Sequence, residues 1–160
     1  MTLDRAKTAL VLVDVQKAFL EWEAGGMRRN NPHAVDNIAR LLAAFRRAGM
    51  AVFHIRHASR EAGSALAADK PGYRPIDAAR ERDGEPVLVK HVNSSFIGTD
   101  LEDRLRAAGK GIIYVSHKMR EIDELGDRIT VFKDGHRVGT VMRGAATPED
   151  LVRMMVGRKL

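Results

Sequence analysis

Two charged residues at the ends of apolar runs have the chemistry and the spacing to form a site. Asp14 ends the apolar run 8–14 (TALVLVD), and Lys90 lies near the end of a second run at 87–91 (VLVKH). Unbroken apolar runs of this length are typical of strands buried on both faces of a parallel sheet. Parallel strands deliver their last residues to the same edge of a sheet, so we expect Asp14 and Lys90 to converge there. Together they would form an ion pair or bind a small carboxylate or phosphate.

Other side chains with chemical potential are isolated in the sequence. The chain has no cysteine, which excludes disulfides, zinc–thiolate sites and a thiol nucleophile. His54 and His57 lie on a predicted strand without further ligands in view, so we expect packing or surface roles and no metal site. Phe19 and Trp22 either line a pocket or anchor a loop. Ser116 ends a further apolar run, but no His–Asp arrangement is evident that would activate its hydroxyl.

The composition is that of an ordinary globular chain with a basic surface. Its 160 residues suffice for one domain with a sizeable core. The net charge of +6 permits nucleic-acid binding, but two Tyr and one Trp offer few rings for stacking on bases, so we expect no nucleic-acid partner. We also expect no membrane partner, no required partner of any kind and a cytoplasmic location, because no signal-peptide pattern or membrane-length apolar run occurs. Homo-oligomerisation stays open. The basic residues are spread along predicted helix faces, as at Arg40, Arg46, Arg47, Arg104 and Arg106.

Predicted strands and helices alternate along the chain, which is typical of an α/β fold. Apolar runs predict strands at 50–57 and 111–116, and an i, i+3, i+4 pattern after Asn31 and Pro32 predicts a helix that ends at Gly49. The other predicted elements are a loop with a short helical turn at 58–86, a helix from Thr99 or Asp100 to Gly109, a short helix at 118–125, a hairpin that turns at Asp134-Gly135 and a helix that begins at Thr147-Pro148.

Residues 6–109 resemble the isochorismatase-like cysteine hydrolases. The resemblance rests on two long patterns, TALVLVDVQKAF at 8–19 and VKHVNSSFIGTDLEDRLRAAG at 89–109. In that family an Asp, a Lys and a Cys form the catalytic set. The resemblance assigns Asp14 as the base for the thiol and Lys90 as the cation that lowers the thiol pKa.

The residue that would complete this catalytic set is missing. The place of the family's Cys, after the fourth strand, reads VSHKMREIDELG at 115–126. Without a thiolate no acyl-enzyme forms. We therefore expect Asp14 and Lys90 to be a vestigial ion pair and the chain not to be an enzyme.

Residues 111–160 resemble a different family, the ATP-binding subunits of sugar-type ABC importers. The similarity lies in IIYVSHKMREI, in GDRITVFKDGHRVGT and in LVRMMVGRKL. It implies that His117 corresponds to the histidine that contacts the γ-phosphate. That contact requires a Walker A loop, and the chain contains no GxxxxGK[ST], no LSGGQ-type signature and no Walker B Asp-Glu ahead of residue 111. We therefore expect His117 to be vestigial and no nucleotide or other cofactor to bind.

The two resemblances together predict a chimera in one hybrid domain spanning 1–160, with an isochorismatase-like segment at 1–109 and an ATPase-like segment at 110–160. The implied fold is a three-layer α/β/α sandwich with a mostly parallel sheet, order 3-2-1-4-5, and an antiparallel sixth strand from the hairpin. Loss of both sets of catalytic residues within one domain favours a deliberately engineered scaffold without activity. The alternatives are a residual small-anion binder and a weak hydrolase at the Asp14–Lys90 edge.

Overall fold

The computed structural model of the protein describes residues 4–28, 31–112, 122, 126–133 and 136–156. The chain divides into two compact units, Met1–Gly111 and Ile112–Leu160. The interpretation of 1–160 as a single hybrid domain stays a prediction, because residues 113–116 of the strand that would join the two segments lie outside the described residues.

The described residues of the first unit are built on a parallel sheet of three strands. These are β1 (Ala9–Val13), β2 (Ala51–His57) and β3 (Val87–Lys90), in the order β1-β2-β3 with both pairings parallel. The α/β class and the 3-2-1 part of the predicted strand order are thereby confirmed. The 4-5 part of the order depends on residues that the structure does not describe.

In the residues that the structure describes, this unit contains three helices: α1 (Ala18–Ala24), α2 (Ala34–Arg47) and α3 (Leu101–Ala107). Helix α2 has the predicted bounds, and Gly49 follows it with φ 63°, a left-handed conformation that glycine adopts without strain. The loop 58–86 contains two short 3₁₀ turns, Pro71–Tyr73 and Asp77–Ala79, where one helical turn was predicted. Within the described ranges, none of the helices has the length and apolar character of a membrane span.

The core of the first unit lies between α2 and the sheet. Its buried members come from β1, α2, β2 and the second 3₁₀ turn: Leu12, Leu42, Phe45, Val52 and Ala79. The prediction that β1 is buried on both faces is wrong at its end, because Leu12 is buried while Val13 is 43% exposed. Strand β3 likewise buries Leu88 and leaves Val87 and Val89 each 38% exposed. The apolar runs therefore predicted the positions of these strands correctly, but the strands bury fewer of their side chains than predicted.

Apart from the single helical residue Ile122, the described part of the second unit consists of a hairpin and a helix with the segments that join them. Strands β4 (Arg128–Lys133) and β5 (His136–Met142) pair antiparallel, with Lys133 opposite His136. This confirms the predicted hairpin, although the turn residues Asp134 and Gly135 lie outside the described residues. Among the described residues β4 and β5 form a two-stranded sheet of their own. Whether they supply a sixth strand to the parallel sheet stays a prediction.

Helix α4 (Pro148–Val156) begins where the sequence predicted. The Thr147 hydroxyl accepts a hydrogen bond from Asp150 N at 3.2 Å, and Thr147 N donates to Asp150 Oδ2 at 3.1 Å. These reciprocal bonds satisfy amide groups that the first helical turn cannot. The helix packs on the hairpin and buries Leu151 together with Val131 of β4. Residues 118–125, predicted as a short helix, lie outside the described residues except for Ile122.

Candidate functional site at the carboxyl edge of the parallel sheet

Asp14 and Lys90 meet at the carboxyl edge of the parallel sheet. Lys90 Nζ donates to Asp14 Oδ2 at 2.9 Å, across 76 residues of sequence, and to the backbone oxygen of Asn93 at 2.9 Å. The Lys90 side chain is only 2% exposed, whereas that of Asp14 is 28% exposed. The convergence expected from two apolar runs in a parallel sheet is thus confirmed, and the two groups form a largely buried ion pair.

Backbone conformation directs the Asp14 carboxylate toward Lys90. Lys90 pairs with His57 on β2, so both side chains project to the same face of the sheet. Regular alternation after Val13 would send Asp14 to the opposite face, the one that carries Leu12. Instead Asp14 has φ 57°, the only positive φ at a non-glycine position among the described residues. Aspartate tolerates this left-handed conformation better than most residues, which suits it to the position.

The side chain of Gln16 stabilises the same edge of the sheet through hydrogen bonds to the backbone. Its side chain is fully buried, donates to the backbone oxygens of His57 at 3.0 Å and Tyr73 at 2.9 Å, and accepts from His57 N at 2.8 Å. One amide thereby fixes the end of β2 to the long loop. Sequence reasoning gave Gln16 no role, although it lies two residues from Asp14 in the pattern that defined the site.

A cleft of about 290 Å³ opens beside the ion pair. Phe19 contributes to its wall and packs edge-to-face on Trp22, with ring centroids 4.9 Å apart. Of the two alternatives for these rings, Phe19 lines the cleft and Trp22 supports Phe19. His57 also lines the cleft, together with Asp14 and Lys90. The sequence predicted only a packing or surface role for it and did not indicate that it lies near the ion pair. The full lining is Asp14, Phe19, His57, Leu66, Lys90 and Asn93.

The hydrogen bonds around the ion pair limit what it can do chemically. Asp14 Oδ1 is buried and has no hydrogen-bond partner among the described residues, so one acceptor of the ion pair is unsatisfied. The ammonium of Lys90 already donates to two oxygens, which leaves one of its three protons uncommitted. The arrangement can accept a proton at Asp14 and stabilise negative charge beside Lys90. Its described lining supplies neither a thiol nor a hydroxyl that could act as a nucleophile.

Other predicted site residues lie elsewhere. His54 is buried at 5% exposure, and its Nε2 lies 2.9 Å from Glu85 Oε2. Arg46, expected to be part of a solvated basic surface, instead binds Glu85 through two nitrogens and is only 15% exposed. No group of three or more metal-binding side chains occurs in the part of the chain that the structure describes. His117 and Ser116 lie outside it.

Comparison with known proteins detects the ATPase resemblance. The chain is 54% identical over 76 residues to the ribose import ATP-binding protein RbsA of Yersinia pestis bv. Antiqua (strain Antiqua). This match covers 48% of the chain but only 15% of that protein. At 76 residues it is longer than the stretch 111–160, so the similarity begins before the boundary that the sequence patterns suggested. The match is consistent with a chimeric part in this chain.

The isochorismatase resemblance is more extensive. The model of the isochorismatase domain matches residues 8–116. An isochorismatase family protein of Bacillus subtilis (strain 168), YrdC, is 40% identical over 100 residues, which are 62% of this chain and 52% of that protein. A crystal structure of an isochorismatase-family protein from Chromobacterium violaceum ATCC 12472 superposes with a TM-score of 0.62 at 38% identity, covering 68% of this chain and 55% of the other. The chain thus spans about half the length of these relatives, and it belongs to the isochorismatase family.

Proposed function

We propose that the chain is a fusion of an isochorismatase-like and an ATPase-like segment that folds but does not catalyse hydrolysis. One observation carries the proposal: the Asp14–Lys90 ion pair is assembled at 2.9 Å in a chain that has no cysteine. The pair can receive a proton and stabilise charge, but the group on which it would act is missing. No cofactor and no partner is needed in this account.

The state of the Asp14 carboxylate argues against water as a substitute nucleophile. A general base must lie within hydrogen-bond reach of the proton that it removes. Oδ2 is engaged by Lys90, and the surface of Oδ1 is closed off by neighbouring atoms. Oδ1 is thus closed to water and Oδ2 is shared with Lys90, although the side chain as a whole is 28% exposed. This arrangement disfavours a weak hydrolase.

The overlap of the two sequence matches supports a fusion. The isochorismatase match occupies residues 8–116, and the 76 residues of the RbsA match do not fit into the rest of the chain. Some residues must therefore match both families. The chain also lacks the phosphate-binding loop and the thiol that the two parents would use. Loss of both in one chain favours deliberate engineering of a scaffold.

A residual small-anion site is the second candidate. The cleft beside Lys90 and the uncommitted proton of its ammonium favour it. Neutralisation of Lys90 by Asp14 opposes it, because the pair has no net charge to attract an anion. A thermal-shift series with acetate, phosphate and sulfate tests this candidate. Saturable stabilisation that disappears in Lys90→Met would establish a site, and an identical non-saturating response of both proteins would exclude it.

Catalysis is tested by turnover of a panel of amides and esters. The wild-type chain, Asp14→Ala and the exposed-residue control Asp103→Asn are compared at equal concentration. We expect all three to give the same rate, that of trace contaminants and background hydrolysis. Turnover that is retained in Asp103→Asn and lost in Asp14→Ala would refute the proposal.

A further inference from the structure

A cluster of charged side chains clasps the chain just before β3. Glu85 accepts from Arg46 Nε and Nη2, both at 2.7 Å, and lies 2.9 Å from His54 Nε2. It also accepts from Arg82 N at 3.0 Å, while Arg46 donates to the backbone oxygen of Arg80 at 2.7 Å. The three side chains of Glu85, Arg46 and His54, here called the Glu85 clasp, are each at most 15% exposed. They join α2, β2 and the loop that leads into β3.

The sequence of β3 does not by itself define how the strand is placed. Val87, Leu88 and Val89 are all apolar, so either face of the strand could serve as the buried one. Register in a sheet is normally set by alternation of apolar and polar residues, and a slip of one residue exchanges the faces. After such a slip, Lys90 would project away from Asp14.

The pairing partners of β3 add little further constraint. Strand β3 has four residues, and within the described residues it pairs with β2 alone. Its pairing begins at Val87 opposite His54, with His54 N donating to the backbone oxygen of Pro86 at 2.9 Å. The clasp thus fixes the residue that directly precedes the first backbone contact, and Lys90 follows five positions after Glu85.

We propose that the Glu85 clasp sets the register of β3 and thereby positions Lys90 against Asp14. Glu85 is a positioning residue: it acts on the ion pair through the strand and does not touch it. The bidentate Arg46 contact gives the clasp directional specificity, which a single charge–charge contact would lack. This role holds whether or not the chain is catalytically active, because it concerns the assembly of the ion pair.

The reactivity of the Lys90 amine reports how firmly β3 holds Lys90 in its buried position against Asp14. The protein is acetylated under native conditions with an N-hydroxysuccinimide ester, and labelling at each lysine is followed by peptide mass spectrometry. In the wild type, Lys90 should react far more slowly than Lys7, whose side chain is 77% exposed. Glu85→Gln removes the carboxylate of the clasp, and Arg46→Lys removes the bidentate guanidinium contact. In both variants we expect labelling of Lys90 relative to Lys7 to rise about tenfold, because β3 opens locally more easily.

Two controls separate positioning from general stability. Glu81→Gln removes a neighbouring carboxylate that pairs with Arg56 of β2, acts on His54 only through its charge, and forms none of the hydrogen bonds of the clasp. Leu42→Ala destabilises the core while leaving all three side chains of the clasp in place. Under conditions where every variant is folded, these controls should raise Lys90 labelling far less than the clasp variants at matched stability. The proposal is overturned if Leu42→Ala and Glu85→Gln, matched for stability, raise it equally, or if Arg46→Lys and Glu85→Gln leave it unchanged.

Discussion

Substituting Asp14 and substituting Lys90 should lower the free energy of unfolding by different amounts, because the partner left behind is buried in one case and partly exposed in the other. In Asp14→Asn the ammonium left behind belongs to a side chain that is 2% exposed, and its remaining acceptors, the Asn93 backbone oxygen and the new amide oxygen, are both neutral. Removing one member of a buried pair typically costs about 3–5 kcal/mol, and the lower end applies here because Asp14 itself is partly open to water. We expect Asp14→Asn to lower the free energy of unfolding by about 3 kcal/mol.

Lys90→Met should cost less, because the carboxylate left behind belongs to a side chain that is 28% exposed and can be hydrated. Its expected cost is about 1–2 kcal/mol. The double variant Asp14→Asn, Lys90→Met carries no buried charge, so its cost should fall well below the sum of the two single costs, by about 2 kcal/mol.

Urea denaturation at pH 7 measures all four proteins of this cycle. The exposed pair Arg104–Asp100 on α3 provides the matched control, and Asp100→Asn should not change the unfolding midpoint measurably. Additive costs at Asp14 and Lys90, or a larger cost for Lys90→Met than for Asp14→Asn, would contradict the assignment of the buried partner.

Three further predictions concern the clasp, the nucleotide and the domain organisation. The hydrogen bonds from Arg46 lower the pKa of Glu85 from its ordinary 4.5 to about 2, so its stabilisation is complete above pH 4.5 and is lost as the pH falls toward 2. Glu85→Gln should therefore cost about 3 kcal/mol in urea denaturation at pH 7 and progressively less below pH 4.5, and a cost that does not depend on pH would be inconsistent with this. Millimolar ATP with Mg²⁺ should give no saturable heat in calorimetry, since no Walker A loop is present; a signal lost in His117→Ala would be evidence against this. A single hybrid domain should unfold in one cooperative transition, and proteolytic removal of 112–160 that leaves 1–111 folded would disprove it.

The sequence predicted the features that depend on local patterns. Apolar runs gave the three parallel strands, and the Thr147-Pro148 start gave α4, because both signals are contained within a few consecutive residues. The meeting of Asp14 and Lys90 followed from one topological rule about where parallel strands end. Helix α1 was not predicted, since its seven residues have no side-chain cap and too short a pattern for periodicity to show.

The features that the sequence did not predict depend on tertiary partners. Arg46 looks like any other arginine on a helix surface until Glu85, 39 residues away, is placed against it. Gln16 is polar, so a pattern of hydrophobicity cannot indicate that it is fully buried and bonded to two backbone oxygens. The exposure of Val13 shows the converse: an apolar residue at the end of a strand is covered only if another element reaches it.

The absence of a nucleophile beside an assembled ion pair is tested most directly by trapping an acyl intermediate. The protein is incubated with unactivated amide and ester substrates, quenched in acid, and analysed by intact mass and peptide mapping, with Asp14→Ala in parallel. Our account predicts that no covalent adduct accumulates on any residue lining the cleft, in either protein. An acyl adduct on a cleft residue such as His57, present in the wild type and absent in Asp14→Ala, would contradict it.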